Sequence, residues 1–148
     1  MIDFKFLWNK FHPFRSLRYK VEGESMMPTL LSGQTIHIDR DAHHGRPITR
    51  FEIVIFQSPF LANKTFVKRI IGLPGEIVRI ADGHVFINAS LLPEPYVMED
   101  NELDPKLDLE WEVGDNEYFT LGDNRKDSID SRRLGPIHKT WINGVVED

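Results

Sequence analysis

Ser25 stands in the run Gly23-Glu24-Ser25-Met26-Met27-Pro28-Thr29-Leu30, and Lys68 opens the run Lys68-Arg69-Ile70-Ile71-Gly72-Leu73-Pro74-Gly75-Glu76. A serine hydroxyl is a poor nucleophile until a base takes its proton. Histidine is the usual base, but a lysine serves where its surroundings hold it neutral. With period-two alternation on a strand, Phe66, Lys68 and Ile70 share one face. The lysine then sits between two large apolar side chains, and burial disfavours its ammonium form. A free lysine titrates near ~10.4, and a base useful at neutral pH needs about 7–8. On spacing alone, a lysine snorkelling at a sheet edge fits the same pattern.

The serine has a matching context. Gly23 permits positive φ or a close backbone approach, and Pro28 stiffens the chain just beyond the serine. Met26 and Met27 suit an adaptable apolar pocket for a peptide. A turn serine ahead of a short helix, with Met and Leu in the core, fits these residues as well. A third run, Gly122-Asp123-Asn124-Arg125-Lys126-Asp127-Ser128-Ile129-Asp130-Ser131-Arg132, is dense in polar groups. By itself it reads as a charged turn with local ion pairs.

The elements that must position these groups read as strands. Thr35 to Ile38 alternates, and Glu52 to Phe56 is a β-branched and aromatic run suited to a buried strand. Thr65 to Ile71 is the strand that carries Lys68. Glu76–Ile80 and His84–Asn88 flank Asp82-Gly83, a hairpin signal because the primed turn needs positive φ. Glu117 to Leu121 leads straight into the third run. Ile142 to Val146 closes the sheet, with Gly144 at a bulge. Such spacing predicts a mainly β, antiparallel domain with few short helices, a barrel or sandwich.

Composition bounds the rest. The chain has 148 residues, 41% hydrophobic and 28% charged, enough for one domain with a real core. It has no cysteine, which excludes disulfides, a thiol nucleophile and cysteine metal sites. A net charge of −5 argues against nucleic acid as a partner. The six histidines are scattered without His-Glu-x-x-His spacing, so neither a metal nor another cofactor is expected. Between 94 and 112 eight carboxylates are offset only by Lys106. The spacing of a calcium loop is missing, so this stretch reads as a solvated excursion between strands.

Residues 1–20 stand apart from 21–148. Lys5, Lys10, Arg15, Arg18 and Lys20 against Asp3 give a net +4. Phe4, Leu7, Trp8 and Phe11 follow helical spacing before Pro13. Such a segment suits a membrane interface, or a short helix packed on its own domain. No apolar run approaches the roughly 20 residues of a spanning helix.

The three runs, in this order, resemble the signature boxes of type I signal peptidases, serine–lysine endopeptidases that remove secretory signal peptides. The likeness extends from about Tyr19 to Gly144. It implies Ser25 as nucleophile, Lys68 as general base, Ser128 as the residue that orients the lysine, and Asp130 with Arg132 as a bracing ion pair. It further implies an antiparallel β catalytic domain with a cleft at Gly23, Met26, Met27 and Pro28. The partner would be an extended precursor polypeptide with small residues before the cut, met at a membrane surface on the extracytoplasmic side. Two departures matter. The strand box of the family usually opens Gly-Asp, where this chain has Phe51-Glu52. Gly23 replaces a hydroxyl residue that serves one branch as an oxyanion donor, which places more of that task on the Ser25 N–H.

Other readings use the same residues. A soluble maturation protease of this family would trim one precursor, as do relatives that process nickel superoxide dismutase; it would be cytoplasmic. A self-cleaving transcriptional regulator needs a DNA-binding domain, for which the 24 residues before Ser25 are too few. A non-catalytic peptide-binding module has no need of both dyad residues.

Overall fold

The computed structural model describes residues 16–147. The helical spacing of Phe4, Leu7, Trp8 and Phe11 lies outside the described residues.

Strand β3 (Ile53–Ser58) is the continuous apolar run, and it is buried on both faces. Val54 and Phe56 enter one core cluster and Ile55 another, which is why the run does not alternate. β4 (Lys64–Gly72) pairs with it antiparallel, with Val54 opposite Lys68 and Phe56 opposite Phe66. Each fully buried apolar side chain such as Val54 or Phe56 contributes about 1.5–3 kcal/mol.

Among the described residues seven strands form the larger sheet. β1 (Ser16–Lys20) and β2 (Thr35–Asp39) lie at one end, followed by β11 (Ile142–Val146), β3 and β4. β9 (Glu117–Leu121) and β10 (Ile137–His138) complete it on the other side of β4. All its pairings are antiparallel, and the register of β11 on β3 shifts between Ile142 and Gly144, the expected bulge. The basic segment at the N-terminus therefore ends in sheet: Ser16–Lys20 pairs along its whole length with β2.

The smaller sheet is β7 (Ser90–Leu91), β6 (His84–Ile87), β5 (Ile77–Ala81) and β8 (Asp108–Glu112), in that order. Asp82 and Gly83 both have positive φ, 51° and 80°, and join β5 to β6 as the primed turn requires. β8 corrects the reading of 94–112 as a solvated excursion. Asp108–Glu112 pairs residue by residue with β5, with Leu109 opposite Ile80 and Trp111 opposite Val78. Charged side chains alternate along this exposed edge strand, and they masked the strand in the sequence.

The two sheets share a core in which Ile71, Phe119 and Leu121 of the larger meet Val78, Ile80 and Val85 of the smaller. Among the described residues, helical structure is confined to one α-turn, α1 (Ser131–Leu134), and three short 3₁₀ turns.

Candidate active site

Ser25 is held in place by the apolar residues on its C-terminal side. Met26 and Leu30 are buried with Val21, Ile36, Ile38 and Ile55 under β2 and β3. Backbone bonds from Met27 N to Glu24 O, 3.0 Å, and from Leu30 N to Met26 O, 2.9 Å, wind the segment into turns. The serine thus sits one residue before an apolar anchor, with its own side chain at the edge of a cleft.

Lys68 comes from the middle of β4, on the face it shares with Phe66 and Ile70, and it is 3% exposed. Its Nζ lies 2.6 Å from Ser25 Oγ and donates to the Val67 carbonyl at 2.8 Å. Burial lowers its pKa from 10.5 to about 8, helped by Lys64 and Arg132 and opposed by Asp130 and Asp123. An amine in this state holds a usable lone pair near neutral pH while keeping a hydroxyl within reach.

The third run packs against both. Gly122 is where a side chain is impossible: a Cβ there would lie 2.5 Å from Ser25 O and closer still to Ser128 Oγ. Asn124 donates from its backbone to Ser25 O at 3.0 Å and from its side chain to Glu24 O at 3.1 Å. Asp130 is fully buried and caps α1. It accepts from Arg132 Nε and Nη2, both at 2.8 Å, and from Gly122 N at 3.0 Å. Burial alone would raise its pKa, but the Arg132 guanidinium and these donors hold it below the usual value.

Ser128 lines the same cleft, but its hydroxyl makes no hydrogen bond to Lys68. Its oxygen is buried without a partner of good geometry, yet it lies close enough to Asp130 to help keep that carboxylate ionised. Besides Ser25, the lysine's hydrogen-bond partner is the Val67 carbonyl.

The cleft holds about 500 Å³. Gly23 and Met26 line it as expected, and its apolar wall is Tyr19, Val21, Ile36, Ile55 and Val67. Met27 and Pro28 are not among the residues that line it. The turn directs Met26 inward and leaves Pro28 exposed.

Further residues escaped the sequence reading. Arg69 clasps fully buried Asp123 through Nε–Oδ1, 2.8 Å, and Nη2–Oδ2, 2.6 Å. Thr29 donates to the same carboxylate. The signal was available: alternation puts Arg69 on a face with Val67 and Ile71, where a charge requires a partner. Glu94, read as solvated, pairs bidentately with buried Arg125. Among the described residues no three His, Asp or Glu side chains are grouped to hold a metal ion.

The model of the family described as signal peptidase, peptidase S26, matches residues 11–147. Signal peptidase I V of Bacillus subtilis (strain 168) is 36% identical over 141 residues, covering 88% of this chain and 83% of its own. Signal peptidase I of Bacillus caldolyticus is 37% identical over 142 residues, with 87% and 76% covered. A crystal structure of a signal peptidase I from Enterococcus faecalis V583 superposes with a TM-score of 0.61 at 32% identity, covering 69% of this chain and 98% of that one. The chain belongs to the signal peptidase family. It is a serine-type endopeptidase, a hydrolase, built on the mostly antiparallel β-sheets of the signal peptidase I fold.

Proposed function

We propose that this peptidase cleaves signal peptides from precursor proteins with Ser25 as nucleophile and Lys68 as general base. The observation that carries the assignment is the 2.6 Å contact between Lys68 Nζ and Ser25 Oγ, made by a lysine whose burial brings its pKa to about 8. Neutral Lys68 takes the Ser25 proton as Oγ attacks the scissile carbonyl. The tetrahedral oxyanion is stabilised by the Ser25 N–H. Protonated Lys68 then gives its proton to the leaving amine, and an ester joins Ser25 to the signal peptide. A water, deprotonated by Lys68, attacks that ester; Lys68 returns the proton to Ser25 Oγ as the C–O bond breaks, and the signal peptide leaves with a free carboxylate. Asp130 and Arg132 brace the loop, and Ser128 supports it.

The substrate is an extended chain laid in the cleft between Gly23 and Val67, with small residues before the cut. Residues 1–20 would bring the enzyme to an anionic membrane surface on the extracytoplasmic side, through their +4 charge and the apolar spacing of Phe4, Leu7, Trp8 and Phe11. Co-sedimentation with anionic vesicles, weakened by high salt, is expected for wild type and lost in a Trp8→Ser/Phe11→Ser double variant. Among the described residues no helix is long and apolar enough to cross a membrane.

The decisive experiment incubates the protein with a secretory precursor bearing an Ala-x-Ala site. Ser25→Ala and Lys68→Ala are expected to lower turnover by about 10³-fold or more without loss of fold. Near wild-type cleavage by either variant, with circular dichroism unchanged, would remove the dyad.

A further inference from the structure

Glu94 and Tyr96 lie outside the three runs that carry the chemistry. They sit between β7 and β8, yet both reach toward the third run and the base of β4. Arg125, 3% exposed, is gripped by Glu94 through Nη1–Oε2 at 2.8 Å and Nη2–Oε1 at 2.5 Å. The Tyr96 hydroxyl donates to Glu94 Oε1 at 2.8 Å. The Tyr96 ring centroid is 4.1 Å from the Arg69 guanidinium, and the ring meets Phe51 edge-on at 5.7 Å. One aromatic side chain therefore touches the residue after Lys68 and the acid that holds Arg125.

Arg125 passes the constraint onward. Its Nε donates to Gly122 O at 3.0 Å, and its carbonyl accepts from Arg132 Nη1 at 2.7 Å. Gly122 N and Arg132 both bond Asp130, and Asn124 N holds Ser25 O. Stability is a poor reason for such a pair. Desolvating two charges offsets most of their attraction, so a buried ion pair adds little net stability over apolar packing. What it does supply is a fixed geometry, since a bidentate guanidinium–carboxylate fork tolerates little rotation.

We propose that Glu94 and Tyr96 are positioning residues of the peptidase reaction, a strap from the smaller sheet that fixes residues 122–132 against Ser25 and Lys68. The proposal rests on the dyad reading. The strap acts on Lys68 through the groups that face it: Asp130, Asp123 and Arg132 around the loop, and Lys64 on its own strand. Slackening the loop admits water to the lysine, and burial is the leading cause of its depressed pKa.

The test compares Glu94→Gln and Tyr96→Phe with wild type on an Ala-x-Ala precursor, reading kcat, KM, the pH–rate profile and the melting temperature. In Glu94→Gln, kcat is expected to fall about tenfold or more with KM within about twofold. The midpoint of the acid limb should move to higher pH as Lys68 becomes better solvated. Tyr96→Phe removes one oxygen and keeps the ring, and should show the same changes at smaller size. A lower melting temperature with kcat and midpoint unchanged in both variants overturns the proposal. Should Glu94→Gln fail to fold, Tyr96→Phe decides alone by the same two readouts. Ser25→Ala, run alongside, separates the two ideas: its turnover would sink the dyad reading, whatever Tyr96→Phe shows.

Discussion

A buried lysine is a burden on the fold that holds it. Lys68 titrates at about 8 in the native state and at 10.5 unperturbed. Below pH 8 both folded and unfolded chains carry the charge, and the native state bears its burial at a cost of about 3 kcal/mol. Between pH 8 and 10.5 the native state releases the proton while the unfolded chain keeps it, so this contribution to stability rises with pH in that window. Lys68→Met is therefore expected to raise the melting temperature at pH 7 while abolishing cleavage. An unchanged or lower melting temperature would show that the lysine is better solvated than its 3% exposure implies. In wild type the same titration predicts a rate that climbs through pH 8. Asp130 runs the other way. Its folded pKa is depressed, so its stabilisation is present above the ordinary value of 3.8 and is lost as pH falls through the lower folded value. Asp130→Asn should lower the melting temperature by the equivalent of about 3–5 kcal/mol, because it leaves Arg132 without its partner. Equal melting of variant and wild type would deny the brace.

At the scale of elements, the turn at Phe51 is the place where local sequence and backbone disagree. Its φ is 74°, a left-handed conformation that costs a side-chain-bearing residue about 1–2 kcal/mol, at the position where the family box usually has glycine. The Arg69 guanidinium bonds its carbonyl at 2.9 Å, and its ring meets Tyr96, which together hold the strained turn. Phe51→Gly should thus melt close to wild type, exchanging ring contact for relief of strain. Phe51→Val, β-branched at positive φ, should melt well below both. The reverse order would show that ring packing, not backbone strain, governs the turn. The strands themselves were legible where one physical signal ruled: the unbroken apolar run of β3, the alternation around Lys68, the Asp82-Gly83 turn. β8 was not, because five edge residues rich in carboxylate look like a loop until a partner strand is known. Periodicity put Lys68 on one face with Phe66 and Ile70, where it is buried, but its 2.6 Å approach to Ser25 joins residues 43 apart and no local pattern announces it. Glu94 was hidden, since its partner stands 31 residues away and nothing local marks an acid as paired.

For the whole molecule, the carboxylate of Asp123 has a consequence for how the protein comes apart. It is fully buried and takes hydrogen bonds from Arg69 on β4 and from Thr29 just past Ser25, while its neighbour Asn124 holds the Ser25 carbonyl. Three stretches distant in the chain are closed on one acid, so none of them can open alone without stranding a charge away from water. Native-state hydrogen exchange should then find the amides of 26–30, 68–71 and 119–124 released in a single cooperative step, with one opening free energy and one denaturant dependence. Asp123→Asn should split that step, leaving the stretch after Ser25 to exchange by local fluctuation while β4 and β9 stay protected. The active site would be a foldon in its own right, lost all at once and never partly assembled.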